Sequence, residues 1–288
     1  MRRIGTTGLA AFLAVVLAGT ALAAASVNLG TATSFAVLAG TTITNTGATT
    51  IKGDVGLDPG TAVTGFTTVT LDGAQHLADA VALDAKNALV TAYNDAAGAT
   101  PVTKVATELG GTTLKPGVYA SDTLGLTGTL TLDGEGLYIF QAASTLITAP
   151  NSEVALINGA SACNVYWQVG SSATFDTSTT FKGTIMALTS IALNKGVTLQ
   201  GRALARNGEV TMNNDTIDSS SCTAPSPTPS PKASAHPGVT APATDTIAST
   251  PAAVSDRSSA SFLVVLVIAA IAFVGSLRFA AIRSRPRD

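Results

Sequence analysis

The chain has 288 residues, of which 46% are hydrophobic and only 12% are charged, and its formal net charge is −2. A nucleic-acid-binding protein carries a basic excess, and a disordered chain is poor in apolar residues and rich in charge, so this composition excludes both classes. Threonine is over-represented, with 34 Thr among the 197 positions of residues 26–222. Low charge with many small residues favours a stacked β architecture.

Both ends of the chain carry targeting segments. Residues 1–25 begin with Arg2 and Arg3, continue through a short apolar run and end in small residues, which is typical of a secretory signal peptide. The alternative, an N-terminal membrane anchor, needs a longer apolar run. Residues 261–277 are free of charge, and with Arg278 snorkelling the span extends to residue 282, which is typical of a transmembrane helix rather than of a buried core helix.

The basic residues of the 283–288 tail predict that the C-terminus is cytoplasmic and that everything before residue 261 is outside. Residues 223–260 hold seven of the 12 prolines and predict an extended stalk. We therefore expect an exported, single-pass protein of the cell membrane with one folded domain, residues 26–222. This domain has 8 basic and 15 acidic residues, a net charge of −7, which argues against nucleic acid and other anionic partners.

The domain contains an internal repeat. Residues 49–55, 179–185 and 197–203 have similar sequences, and around them three kinds of short strand recur in the same order every 18–27 residues. A fixed period of roughly 20 residues with strands in every repeat predicts a β-solenoid. A β-sandwich is the alternative, but it would not keep three strand types in one cyclic order.

One helix interrupts the strands, and we expect it at about residues 73–97. Asp72 is a candidate N-cap, apolar residues follow at near-helical spacing from Leu77 to Ala92, and Gly98 is a candidate end. The first strand set is apolar at consecutive positions, as in residues 35–38 and 165–167, which is typical of strands buried on both faces. The helix is the only element available to cover that side, so the fold is expected to be mainly β with one long packed helix.

The other two strand sets differ in chemistry. The third set turns Lys52, Asp54, Lys182, Gln200 and Arg202 outward and predicts a solvated face. The second set alternates, with apolar residues facing inward and small polar residues facing outward, although the strand at residues 144–148 does not show which side chains point out. Its outward threonines predict a flat, weakly charged surface without long side chains.

Such a surface suits a flat, periodic ligand. Parallel strands stack at about 4.8 Å and alternate residues repeat at about 6.6 Å, so outward threonines form a grid. Because Thr is stiff at χ1, little rotamer freedom is lost on binding. Ice is such a ligand, since hydroxyls anchor ordered waters and methyls favour cage-like hydration. Two alternatives remain: Thr has good β propensity without any function, and a cell-surface adhesin would present the same face to a carbohydrate or another cell.

Several motifs carry a family resemblance. Residues 34–40 (SFAVLAG), 41–56 (TTITNTGATTIKGDVG), 91–98 (TAYNDAAG), 163–172 (CNVYWQVGSS) and 204–208 (LARNG) resemble the microbial ice-binding, or antifreeze, proteins with a discontinuous β-solenoid. The resemblance implies a right-handed solenoid of triangular section, with the helix along one side and the N-terminal strands stacked beside the C-terminal coil.

The resemblance also implies a binding face with loose Thr-Ala/Gly-x-Thr/Asn elements. Residues 46–49 and 148–151 match this element, 127–130 match it in part, and 176–179 and 194–197 depart from it, with Lys195 near the face. Strand alternation and these elements together give the predicted ice-contacting residues: Thr42, Thr44, Thr46, Thr49, Thr123, Thr127, Thr148, Asn151, Thr174, Asp176, Ala192, Asn194, Thr211 and Asn213.

An enzyme is not expected. Residues 26–222 contain one histidine, His76, and neither a phosphate-binding loop nor clustered carboxylates. We expect no cofactor and no metal, ice and the membrane as partners, and a monomeric ectodomain. Cys163 and Cys222 are the only cysteines, and in an exported domain they predict a disulfide. The obstacle is that 59 residues span about three coils, so residues 218–222 must run back along the stack.

Overall fold

The computed structural model describes residues 27–222. The predicted signal peptide (1–25), stalk (223–260), transmembrane helix (261–282) and tail (283–288) lie outside these residues. Within residues 27–222, no helix is both long enough and apolar enough to cross a membrane.

The described part is mainly β, with one α-helix, α1 (Ala80–Ala97). Its strands, in chain order, are β1 (Phe35–Ala39), β2 (Thr42–Thr46), β3 (Thr49–Lys52), β4 (Asp54–Leu57), β5 (Ala62–Thr64), β6 (Val69–Asp72), β7 (Gln75–Leu77), β8 (Val102–Lys104), β9 (Thr113–Leu114), β10 (Gly117–Ser121), β11 (Leu124–Leu126), β12 (Thr129–Asp133), β13 (Tyr138–Ala142), β14 (Leu146–Thr148), β15 (Glu153–Ile157), β16 (Val165–Val169), β17 (Ala173–Phe175), β18 (Thr180–Ala187), β19 (Ile191–Leu193), β20 (Thr198–Ala205), β21 (Val210–Asn213) and β22 (Thr216–Asp218).

All strand pairs are parallel and join one coil of the chain to the next. β18 and β20, 18 residues apart, pair from Thr180↔Thr198 to Ala187↔Ala205 without a break. Both strands turn a corner at a glycine with positive φ, Gly183 and Gly201. A Cβ on Gly201 would lie 1.9 Å from the carbonyl oxygen of Gly183, so only glycine fits where successive coils stack this closely.

The strands fall on three faces. The helix face comprises β1, β4, β7, β8, β10, β13, β16 and the C-terminal halves of β18 and β20. The seven-stranded face has the order β11-β14-β17-β19-β21-β2-β5. The charged face comprises β3, β6, β9, β12, β15, β22 and the N-terminal halves of β18 and β20. Each coil passes these faces in that order.

The stack is discontinuous in sequence, as the resemblance implied. β1, β2 and β3 pair with β20, β21 and β22, through Leu38↔Leu204, Thr44↔Thr211 and Ile51↔Ile217. The N-terminal coils therefore continue the stack beyond the last C-terminal coil, and we call this junction the seam. β7 and β8 end up at opposite ends of the helix face, about 38 Å apart at eight strand spacings. The 18-residue helix, about 27 Å long, spans most of that distance.

The helix begins later than the sequence predicted. Asp79, not Asp72, is the N-cap, and its carboxylate accepts a hydrogen bond from the Ala82 N–H at 2.8 Å. Asp72 ends β6, and residues 75–77 form β7, because pairing with β3 and β4 extends the stack by one more coil. Strand pairing therefore overrides the local helical spacing. His76 lies in β7, with Nδ1 2.9 Å from the Asp79 carboxylate.

The helix covers its face as predicted. Its buried side chains, including Ala85, Leu89 and Tyr93, pack with Ile139 and Leu204 and other outward residues of the helix face. Polar groups fix its position along the stack. The Lys86 ammonium donates to the carbonyls of Ala205 and Arg206, and burial lowers the pKa of Lys86 to about 8.

The interior of the stack holds an aromatic row. Tyr119, Phe140, Trp167 and Phe181 follow one another with ring centroids 5.5, 4.0 and 4.7 Å apart. The buried Trp167 indole N–H donates to the Lys182 carbonyl at 2.9 Å. Tyr119 and Phe140 come from successive coils, and Trp167 and Phe181 both come from the next coil, so the row ties three coils through packing and stacking.

Asp215 holds the seam from inside. Its side chain is 1% exposed and accepts the N–H of Val197 at 2.8 Å and of Asn213 at 2.6 Å, while its own N–H donates to the Thr49 hydroxyl at 3.1 Å. The Thr50 N–H donates to the Asp215 carbonyl at 2.9 Å. One residue thus joins the preceding coil, its own coil and the first N-terminal coil.

The prediction that Arg202 lies on a solvated face is wrong, because its side chain is buried, with 2% exposure. Its guanidinium donates to the Thr33 carbonyl at 2.7 Å and the Cys222 carbonyl at 3.2 Å, so the N-terminal and C-terminal segments of the domain cover it. The structure contains the disulfide Cys163–Cys222, with 5.0 Å between the Cα atoms. The obstacle of coil spacing is removed because Ser219–Cys222 runs back past Arg202.

Asp215 makes stability depend on pH. Burial raises the pKa of Asp215 from 3.8 to about 7. Between those values the folded form keeps a proton that the unfolded chain has lost, so this contribution is full below about pH 4 and is lost as the pH rises through about 7. We expect the free energy of unfolding of the wild type, measured by urea titration, to fall by about 3 kcal/mol between pH 5 and pH 8, and that of Asp215→Asn to change less. Equal pH slopes in the two proteins would contradict this assignment.

Candidate functional site

The seven-stranded face presents three outward columns of side chains. Along each strand, residues alternate between the core and the surface, as in β19, where Ile191 and Leu193 are buried and Ala192 is not. The ladder register aligns the outward residues from coil to coil. In stack order, the middle column is Gly125, Ile147, Thr174, Ala192, Thr211, Thr44 and Thr64.

The middle column has no charged side chain, and its members are small apart from Ile147, which is 53% exposed. Seven strands at about 4.8 Å and three columns at about 6.6 Å give a surface of about 29 by 13 Å. The face crosses the seam, because Thr211 belongs to the C-terminal coils and Thr44 and Thr64 belong to the N-terminal coils.

The two flanking columns are polar except at positions such as Ala62, which pairs with Thr42, and their carboxylates are bound to protein donors. Glu209 accepts a hydrogen bond from the Thr42 hydroxyl at 3.2 Å. Asp176 accepts hydrogen bonds from the Thr177 N–H and from the Asn194 amide, which lower the pKa of Asp176. Glu108 lies at the β11 end and accepts from the Thr127 N–H and hydroxyl.

Comparisons with known proteins agree with this geometry. Residues 37–218 match the family described as ice-binding-like. The chain belongs to this ice-binding-like family. It is 44% identical over 210 residues to an ice-binding protein of Nostoc sp. (strain HG1), covering 70% of this chain and 78% of the relative.

Two solved structures have the same fold. One is an ice-binding protein from an Antarctic biological consortium, with 49% identity, a TM-score of 0.65 and coverage of 66% of this chain and 90% of that one. The other is an ice-binding protein from an Arctic yeast, with 31% identity, a TM-score of 0.67 and coverage of 72% and 99%.

In this member of the ice-binding-like family, most of the predicted residues lie on the seven-stranded face. The structure places on that face Thr42, Thr44, Thr46, Thr123, Thr127, Thr174, Asp176, Ala192, Asn194, Thr211 and Asn213. Asn151 is exposed, but it lies in the turn between β14 and β15, with a left-handed φ of 58°.

The prediction that Thr49 and Thr148 contact ice is wrong, because both residues are buried, with 1% and 2% exposure. In the element 46–49 the first residue faces outward, and the last turns inward, where the Thr49 hydroxyl accepts the Asp215 N–H. The element 148–151 begins one residue earlier, relative to the inward–outward alternation of its strand, than the element 46–49 does. Thr148 therefore faces inward. The Thr148 hydroxyl accepts the Asp176 N–H at 2.9 Å and lies 2.9 Å from the Thr179 hydroxyl.

Thr64 and Ile147, both in the middle column, are not among the predicted ice-contacting residues. Thr64 lies in β5, and its spacing of 20 residues from Thr44 is the sequence pattern that predicts it. Ile147 was not assigned because it stands between Leu146 and Thr148, where alternation of apolar and polar residues is absent. Its exposed side chain shows which way this strand faces.

Threonine is not confined to the seven-stranded face. Stack register aligns five threonines without a break on the charged face: Thr180, Thr198, Thr216, Thr50 and Thr70. Beside them runs a charged column in which Lys52 and Asp218 form an ion pair at 3.0 Å. The absence of long cationic side chains from its columns, not threonine content, therefore distinguishes the seven-stranded face, although the exposed Lys195 lies beside it in the turn that follows Asn194.

Residues 27–222 hold no group of three or more His, Cys, Asp or Glu side chains that could bind a metal ion. The polar side chains of the seven-stranded face are hydroxyls, amides and the bound carboxylates described above. This arrangement is suited to contact with an extended surface.

The two ends of the element 46–49 give a matched pair of variants. Thr49→Val removes the acceptor of the buried Asp215 N–H, so we expect the free energy of unfolding to fall by about 1–2 kcal/mol. Thr46→Val acts at an exposed position, and we expect a change below about 0.5 kcal/mol. Urea titration of both variants measures the difference, and equal losses would show that Thr49 has no such role.

Proposed function

We propose that this protein binds ice and that the seven-stranded face is its contact surface. Relatives with up to 44% identity are named ice-binding proteins. The observation that carries the choice of face is the aligned, uncharged middle column, in which Thr211, Thr44 and Thr64 repeat at strand spacing.

The physical basis is a rigid grid that is already ordered before binding. Among residues 27–222, the hydroxyls of Thr46, Thr174 and Thr211 have no protein hydrogen-bond partner, so they are free to bind ordered water. Their methyl groups and the Ile147 side chain favour cage-like water around them. Because strand pairing fixes the backbone and Thr is stiff at χ1, binding costs little conformational entropy. Adsorbed molecules curve the ice front between them and so inhibit growth or recrystallisation.

The proposal includes the finer architecture and the setting. We infer a right-handed solenoid of triangular section, in keeping with the coil order and the family. We infer a monomeric, non-enzymatic domain that is exported and anchored through residues 261–282, with the stalk between domain and membrane. The disulfide supports export, because disulfides persist in oxidising compartments.

Ice-affinity partition of residues 26–222 tests the function. We expect the wild-type domain to enter a slowly growing ice hemisphere, because the grid adsorbs to the front. If the wild-type domain stays in the liquid, ice binding is excluded, and binding of the same face to carbohydrate or to cells becomes the hypothesis to test.

Tyrosine substitutions test the face. Thr44→Tyr and Thr174→Tyr place a bulky ring in the middle column and are expected to lower the ratio of ice-bound to free protein at least about tenfold, equal to a loss of about 1.4 kcal/mol of binding free energy. Thr50→Tyr and Thr198→Tyr are the matched controls, since they make the same change in the threonine column of the charged face. If the control variants lose partition and the Thr44 and Thr174 variants keep it, the contact surface is the charged face.

A further inference from the structure

The chain leaves the domain along one corner of the stack. Ser219–Cys222 follows β22 and lies where the charged face meets the helix face, because a Cβ on the corner residue Gly53 would meet the Ser219 hydroxyl at 2.3 Å. This is the one corner that does not border the seven-stranded face, since each coil passes the helix face, the seven-stranded face and the charged face in that order.

Three attachments fix this exit segment to three different coils. The buried Ser219 donates from its N–H and its hydroxyl to the Lys52 carbonyl, at 3.1 and 3.0 Å. The buried Arg202 guanidinium donates to the Cys222 carbonyl at 3.2 Å and also holds Thr33. The disulfide joins Cys222 to Cys163, which precedes β16.

We infer that Ser219–Cys222, Arg202 and Cys163 form a strap that lets the domain bear tension applied at its C-terminal end. The inference rests on the proposed function, because a domain that binds ice and is tethered through the chain after Cys222 is pulled from that residue. Without the strap, tension would act directly on β22, a three-residue strand between β20 and β3.

Peeling β22 would open the seam. Its hydrogen bonds would be loaded one after another rather than together, and the fully buried Ile217 would be exposed. With the strap, the disulfide passes the load to Cys163 and thus to β16. That strand has five buried residues, pairs along its whole length with β13 and carries Trp167 of the aromatic row. Residues 164–221, with their half of the seam, then lie in a covalently closed loop whose two ends, Cys163 and Cys222, cannot be pulled apart.

The strap also explains two features that ice binding does not require: the burial of Arg202 and the path of the chain after β22. Arg202 is a buried cation bound to the carbonyls of both chain segments, rather than to a carboxylate. The segment after β22 runs back along the stack although β22 completes the last C-terminal coil. A charged donor to carbonyls makes a stronger hydrogen bond than a neutral one, which suits a fastening.

Detachment of beads from ice under flow tests the inference. The full chain, biotinylated at its C-terminus and solubilised in mild detergent, is bound to streptavidin beads, which are captured on an ice surface. The compared variant is Cys163→Ser/Cys222→Ser. Without flow we expect equal capture, because the seven-stranded face is unchanged. Under constant drag we expect the attachment lifetime of the double variant to be shorter by about tenfold or more, since forced opening follows the unfolding rate.

Reductant on wild-type beads should reproduce the variant, and reductant on the variant should change nothing. If the double variant does not fold, the reduced wild type, folded before reduction, takes its place. Equal lifetimes under drag would overturn the strap. Failure of wild-type beads to be captured at all would overturn ice binding instead.

A second measurement separates the two failures. The full chain held by handles at its two ends is stretched in solution without ice. We expect an early opening event in the double variant, from release of β22, that is absent in the oxidised wild type. Identical opening forces in the two proteins would overturn the strap whether or not the protein binds ice.

Discussion

Pairing of β1, β2 and β3 with β20, β21 and β22 is the interaction on which the rest of the structure depends. It joins residues about 166 positions apart. Closing so long a loop costs conformational entropy that contacts between sequence neighbours do not offset. All three faces cross this seam. If it were absent, the stack would expose two additional strand edges on each of the three faces and the core residues Ile51 and Ile217.

Polar side chains at the seam fix the register in which its strands pair. Backbone ladders alone tolerate slippage, and a slip of one residue would turn every side chain of a strand to the opposite face. Asp215, with bonds to Val197 and Thr49, fits only one register. Lys52 and Asp218 add an ion pair across the same junction. Its exposure limits its worth to a fraction of a kcal/mol, so the buried bonds of Asp215 determine the register.

The sequence predicted what repeats and failed where the repeat is broken. The 18-residue spacing of residues 179–185 and 197–203 predicted the coil period that β18 and β20 show. Consecutive apolar residues predicted the covered face. The start of the helix was misplaced because Asp72 and Asp79 are both acceptable N-caps, and only pairing of β7 with β4 decides between them.

Prediction of the site depended on knowing which side chains face the core and which face the surface. Alternation placed Thr44, Thr174 and Thr211 correctly, since each stands between apolar residues. The tetrapeptide elements misplaced Thr49, because the corner turn brings the last residue of the element 46–49 inward. They misplaced Thr148 because the element 148–151 begins one residue too early in the alternation of β14. The prediction for Arg202 was wrong for another reason. A charged residue on an outward position predicts exposure, and only the fold shows that two distant chain segments cover it.

The same geometry relates the proposed contact surface to the exit of the chain. The seam lies within the seven-stranded face, so the alignment of Asn213 with Thr46 depends on the register that Asp215 sets. The exit lies on the opposite corner, where Ser219 contacts Gly53. A pull toward the exit therefore acts away from the face, across the whole section of the stack. A flat surface holds a flat crystal only while its columns stay in register, so a fold with its seam inside that surface must keep tension off β22. The link from Cys222 to Cys163 satisfies this requirement because it transfers the load to a coil within the continuous part of the stack.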